Sequence, residues 1–211
     1  MPVRMLVTAF EPFDGRSENA SSAALADLEV APPPGVDLHT ALLPVVAFEA
    51  GDLLYKALRD SEPQVILCLG EAGRDAINIE TIGYNERSYG IPDNLGNQFD
   101  GAPILDDGPA TYEATLPIDD LYQAVAVLNI PVERSTNPGR YLCNEVLYLA
   151  CHYTTNQPEI VAGFVHVPLL PEAVEGKPSM PTDDVVRALR AMISHLAEAW
   201  PDQQKAGSQS L

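Results

Sequence analysis

Cysteine is scarce: Cys68, Cys143 and Cys151 are the three in 211 residues, and no two form a CxxC pair. That spacing argues against a zinc knuckle and against a secreted module stapled by disulfides, so at least one thiol is expected to be free. Basic residues are scarce too, with 12 Lys and Arg against 30 Asp and Glu and a net charge of −18. A surface that acidic repels phosphate backbones and anionic headgroups, which sets aside nucleic acid and membrane as partners. No stretch reaches the roughly 20 apolar residues of a membrane span. The apolar run in MPVRMLVTAFEPF is too short for a signal core and is broken by Glu11. A cytoplasmic location is therefore expected.

Several catalytic signatures are missing as well. His39, His152, His166 and His195 form no HExxH pattern or short Cys/His cluster, so no metal and no cofactor are expected. GEAGR (70–74) lacks both GxGxxG and the lysine of a phosphate loop, and the absence of GxSxG removes the ordinary serine-hydrolase route.

What is present fits one domain, residues 1–211, with a 46% hydrophobic composition able to fill a core. Apolar runs at 4–10, 36–43, 64–70 and 161–167 read as strands, with a brief one at 130–133. Helices are expected at 20–28 after a cap at Asn19, at 46–59, at 118–129, from about 140 onward, and at 183–199. Residues 71–115 read as an excursion that carries a strand pair around INIETI and either pairs at the sheet edge or folds over the sheet as a lid. Residues 202–211 read as a disordered tail. The alternation predicts an α/β fold, a three-layer α/β/α sandwich with a mostly parallel, possibly mixed, central sheet. In such sheets ligands bind beyond the carboxyl ends of the strands, where Phe10, Gly70 and His166 fall.

Cys143 is the leading candidate nucleophile. It follows NPG, with Pro138 suited to a first helical turn, so its sulfur is expected near a helix N-terminus that favours a thiolate and offers amides to an oxyanion. The competing reading is a small buried hydrophobe. His166, in an apolar strand with Phe164 on its face, reads as a general base or as a core histidine bound to a carbonyl. Glu80 lies opposite Ile77 and Ile79 and could orient that imidazole; Glu71, Asp75 and Glu86 compete, Glu71 most strongly. Cys68 and Cys151 read as packing. Phe10 and Phe13 either wall a small apolar pocket or cover the sheet edge.

Taken together, FEPFDG (10–15) with Asn19, GEAGR, INIE (77–80), IPDNLGNQ (91–98), NPGRYLCNEVLY (137–148) and AGFVHVPLLP (162–171) resemble the type I pyroglutamyl peptidase, or pyrrolidone-carboxylate peptidase, family over residues 4 to about 195. The resemblance implies a cytosolic cysteine exopeptidase that removes an N-terminal pyroglutamyl residue from peptides. It puts the nucleophile on Cys143, the base on His166 and the orienting carboxylate on Glu80. Phe10, Phe13, Asn19, Ile91 and Leu142 then fall on the substrate pocket, and homo-oligomerisation is common among such proteins. The chain departs from the pattern at Asp14, in the shortened GEAGR, and at Thr81 and Gly90, where the family has arginine. Arg87 is the expected compensation. Two further readings stay open, a related amidase with altered cap specificity and a catalytically silent lactam-binding module.

Overall fold

Alternate residues of the first strand, Val3, Met5, Val7 and Ala9, join one apolar cluster, while Leu6 and Phe10 join another. A strand buried on both faces needs a layer of helices on each side. The computed structural model describes residues 1–171 and 173–207, with side chains through residue 200. In chain order its elements are β1 (Val3–Phe10), α1 (Ala20–Val30), β2 (Val36–Leu43), α2 (Glu49–Ser61) and β3 (Val65–Ala72). Next come β4 (Ile77–Glu80), β5 (Ile82–Tyr84), β6 (Arg87–Ser88), β7 (Asp100–Ala102) and β8 (Thr111–Glu113). The chain continues through α3 (Ile118–Ala126), β9 (Val132–Ser135), α4 (Leu142–Thr154), β10 (Val161–Pro168) and α5 (Thr182–Gly207).

The main sheet has the order β2-β1-β3-β10-β4-β9. Every neighbouring pair is parallel except β10 with β4, so the sheet is mixed. Helices α1, α3 and α5 pack on one face and α2 and α4 on the other. Among the described residues no helix is long and apolar enough to cross a membrane.

Several expected boundaries shift for local reasons. Asn19 does cap α1, its side chain accepting from the Ser21 amide at 2.9 Å. Phe48, expected inside the second helix, instead precedes it at φ 66° and remains partly exposed. Pro138 stands outside α4, which starts at Leu142. The last helix continues past 199 to Gly207, so the expected tail is helical in backbone as far as that residue, and 208–211 lie outside the described residues.

The larger correction concerns the excursion. Its strand β4 occupies neither the sheet edge nor a lid but a place inside the sheet, antiparallel to β10 and parallel to β9. The remainder, β5 with β8 and β6 with β7, forms two small ribbons. Strand β5 approaches α4 so closely that a Cβ on Gly83 would meet the Tyr148 backbone nitrogen at 3.0 Å. Thus α4 is covered by the sheet below and the ribbon above. Asn144, Glu145, Val146, Leu147 and Tyr148 are all buried.

Burying Asn144 and Glu145 is tolerable because each is fully engaged. Asn144 accepts from the Tyr84 amide and donates to the Tyr84 and Glu86 carbonyls, at 2.8–2.9 Å. Glu145 takes two bonds from Arg87, both 2.8 Å, and a third from the Tyr89 hydroxyl at 2.8 Å. Arg87 also donates to the Pro103 carbonyl at 2.6 Å and lies under the Phe48 ring. This buried pair clamps the start of α4 to the excursion. Removing one partner leaves an uncompensated buried charge, so Arg87→Met is expected to lower unfolding stability by about 3–5 kcal/mol. Chemical denaturation measures this, and a change under about 1 kcal/mol would contradict the clamp.

Candidate active site

Side-chain alternation decides which groups meet. Ile77 and Ile79 enter the α1 side of the core, which turns Asn78 and Glu80 toward α4. On β10, Val165 and Val167 do the same, which turns Phe164 and His166 toward α4. Glu80 is the register partner of Phe164 and therefore lies diagonal to His166 on the same face. His166 Nδ1 stands 2.7 Å from Glu80 Oε1, with both side chains almost wholly buried. A carboxylate only accepts, so Nδ1 carries the proton and Nε2 is the free nitrogen.

Cys143 reaches the same place from above. It is the second residue of α4, whose N-terminus carries no side-chain cap, leaving first-turn amides available to an incoming oxygen. Gly70, paired with His166 in register, marks where its sulfur lies: a Cβ built on Gly70 would fall 2.8 Å from Cys143 Sγ and 2.7 Å from Phe164 Cζ. Residues in register on neighbouring strands point to the same face, about 4.8 Å apart. Cys143 and His166 therefore come to the same side of the sheet, with the sulfur in space that only a glycine leaves open.

The competing carboxylates are engaged with other partners. Glu71, one residue on from Gly70, faces the α1 side, where it accepts from the Ala20 amide at 2.7 Å and pairs with Arg16. Glu86 binds Arg140 at 2.9 Å, and Asp75 is exposed. Cys68 and Cys151 are buried in the α2/α4 layer. Arg87, expected to stand in for the missing arginines, is held in the Glu145 clamp, away from Glu80. Thr81 bonds the Ser135 carbonyl through its hydroxyl at 3.1 Å, and a Cβ on Gly90 would meet nothing within 4 Å.

The arginine at Glu80 is Arg74, which the sequence reading did not single out. It donates to Glu80 Oε1 at 2.8 Å, to Ser135 Oγ at 3.2 Å and to the Asn137 carbonyl at 2.6 Å. Strands β3 and β4 flank β10, so the connection 73–76 must arch over the end of β10, which carries Arg74 above Glu80. The available signal was a lone arginine in GEAGR, six residues before Glu80. Asn144 was equally unremarked and Gly70 was noted only as a strand end, although a glycine ending an apolar strand and an asparagine in an apolar helix each call for a structural reason.

Cys143 and His166 open into a cavity of about 220 Å³ whose walls include Phe10, Phe13, Asn19, Val45, Tyr141 and Leu142. That volume suits one small ring rather than an extended ligand. Phe10, Phe13, Asn19 and Leu142 are thus brought together as expected. Ile91 is not: it is 40% exposed and lies outside the cavity wall. Its loop nevertheless braces the rim. Asp93 accepts from the amides of Ala47, Leu95 and Asn97, Asn94 donates to the Pro12 carbonyl, and the Tyr141 hydroxyl donates to the Pro92 carbonyl.

The protonation states follow from burial. Loss of water, reinforced by the Glu80 and Glu71 carboxylates, pushes the Cys143 thiol up to about 12, against the opposing pull of Arg74. Burial also holds His166 below its ordinary value, outweighing the contact with Glu80. For Glu80, burial favours the acid form, but His166, Ser135 and Arg74 prevail and hold the carboxyl below the usual range. The resting site is therefore thiol, neutral imidazole and carboxylate. The thiolate expected from the helix N-terminus does not prevail at rest, because burial and two carboxylates outweigh the amides.

Comparison with known proteins gives the family. A family model described as pyroglutamyl peptidase matches residues 3–199. The chain is 37% identical to a pyrrolidone-carboxylate peptidase of Coprothermobacter proteolyticus, covering 92% of this chain and 97% of that protein. It is 40% identical to the one of Pectobacterium atrosepticum, covering 91% and 92%. Among solved structures, a mutant pyrrolidone carboxyl peptidase from Pyrococcus furiosus superposes with a TM-score of 0.88 at 34% identity, covering 93% of this chain and 99% of that one. Pyroglutamyl peptidase I of Bacillus amyloliquefaciens gives 0.88 at 32% identity, covering 94% and 98%. With a family match over nearly the whole chain, and relatives this similar along almost their full length, the chain belongs to the pyroglutamyl peptidase family.

Proposed function

We propose that this protein hydrolyses the amide bond after an N-terminal pyroglutamyl residue, with Cys143 as nucleophile, His166 as base and acid, and Glu80 as the group that orients the imidazole. The observation that carries this reading is the convergence of Cys143 and His166 at one small apolar cavity, with Glu80 bonded behind the imidazole. A pyroglutamyl cap has no ammonium group, so its lactam enters between Phe10, Phe13 and Leu142 without stranding a charge. Asn19 adds a polar group to the wall.

The steps follow from the resting protonation states. As Cys143 Sγ attacks the carbonyl carbon, its proton passes to His166 Nε2, and the carbonyl oxygen takes negative charge near the first amides of α4. Glu80 balances the imidazolium that forms. The carbon–nitrogen bond then breaks, His166 returns the proton to the departing amine, and a thioester remains on Cys143. Water, losing a proton to His166, attacks the thioester; pyroglutamate leaves and the thiol is restored. Pyroglutamyl-capped peptides are the partners in this reading, and a cytoplasmic setting fits three cysteines that are all free.

Three measurements test it. Cys143→Ala is expected to lower kcat/KM on a pyroglutamyl aminocoumarin amide by more than about 10⁴-fold while keeping its thermal unfolding midpoint. Retained turnover would end the assignment, and binding of pyroglutamate without any hydrolysis by the parent protein would mark a silent lactam-binding module. Because the thiol stays protonated at rest, inactivation by iodoacetamide at Cys143 should speed up about tenfold per pH unit from neutral into mildly alkaline solution. A rate flat over that range would indicate a preformed ion pair. Gly70→Ala drives a methyl into the sulfur and the Phe164 ring, so kcat should fall about 10²-fold in a folded protein. Unchanged kcat would show that the sulfur does not rest there.

A further inference from the structure

Arg74 touches both halves of the proposed machinery. On one side it donates to Glu80 Oε1 at 2.8 Å, the oxygen that also holds His166 Nδ1 at 2.7 Å. Among the described residues Glu80 Oε2 is buried with no hydrogen-bond partner, so the bonds from Arg74 and His166 fall on a single oxygen. On the other side Arg74 donates to the Asn137 carbonyl at 2.6 Å. Asn137 begins the loop that leads into α4 and Cys143. That loop is built on the same residues: the Asn137 amide donates to Ser135 Oγ at 3.1 Å, and Ser135 Oγ accepts from Arg74 at 3.2 Å. The guanidinium also forms part of the cavity wall and is 30% exposed.

We infer that Arg74 is a positioning residue for the proposed hydrolysis: one guanidinium ties the Glu80–His166 pair to the loop that delivers Cys143, and it is the counter-charge of Glu80. The electrostatic need is plain. With His166 neutral at rest, an ionised Glu80 without Arg74 is a buried charge lacking a cation, which a protein interior does not tolerate. Such a carboxyl takes up a proton or turns toward water, and in either case stops holding the imidazole by Nδ1. The geometric need is separate. One terminal nitrogen of Arg74 bonds Glu80 and Ser135 while the other reaches the Asn137 carbonyl, a spread of contacts that the planar fork makes at once and a single ammonium group does not. This role rests on the triad reading above, yet it fails separately: turnover in Cys143→Ala removes the triad, whereas normal kinetics in Arg74 variants removes only Arg74.

Steady-state kinetics on the pyroglutamyl aminocoumarin amide test it in the full chain. Arg74→Ala should lower kcat about 10²-fold with KM changed less than about threefold, because the Phe10, Phe13 and Leu142 walls that receive the lactam stay in place. Introduced into Glu80→Gln, which has no charge to balance, the same substitution should lower kcat less than about fivefold. A kcat within about twofold of the parent overturns the inference, as does a full 10²-fold loss repeated in the Glu80→Gln background. If Arg74→Ala does not fold, Arg74→Lys and Arg74→Gln decide the matter. The cationic lysine should retain at least about tenfold more kcat than the neutral glutamine, and equal activity of the two overturns the inference.

Discussion

A carboxylate sealed from solvent and an imidazole 2.7 Å away, on two antiparallel strands in the middle of an otherwise parallel arrangement, constrain everything around them. Their contact requires β4 to run against β10 in one register, since a slip of one residue would turn Glu80 into the α1 side of the core. It also requires the chain to cross the end of β10 between β3 and β4, which is the route of GEAGR. The antiparallel insertion is thus the means by which a strand end supplies a buried acid behind a histidine.

The second constraint is electrostatic. Two carboxylates, Glu71 and Glu80, stand near a thiol that burial already keeps protonated. Each is compensated locally, Glu71 by Arg16 and the α1 amide, Glu80 by Arg74 and His166. In a chain of net charge −18, placing scarce arginines against buried acids keeps the cavity from carrying uncompensated negative charge. The cavity wall above remains mostly apolar, which suits an uncharged ring.

Much of this could be read from residue patterns, for identifiable reasons. Period-two alternation put His166 with Phe164, and Glu80 opposite Ile77 and Ile79, and both faces are as expected. Asn19 was legible as a cap because its side chain acts within two residues. What was not legible depends on pairing between distant segments. Nothing local in INIE says that it enters between two other strands, or that it runs backwards. Arg87 lies nearer in sequence to Thr81 and Gly90 than Arg74 does, yet it answers to Glu145, which local spacing cannot reveal. Ile91 left the wall for a similar reason, since Asp93 folds its own loop onto Ala47 and Asn97. For Cys143 the helix N-terminus is visible in sequence, whereas the burial and the approaching carboxylates that push its thiol up are not.

The central claim is that Glu80 fixes His166 as a neutral imidazole with its proton on Nδ1 and Nε2 left unprotonated. Nitrogen-15 NMR of the His166 ring near neutral pH reads that state directly. A hydrogen-bonded proton on Nδ1 alone, with Nε2 at the shift of an unprotonated nitrogen, is the result predicted. A proton on Nε2, alone or together with Nδ1, would contradict the account.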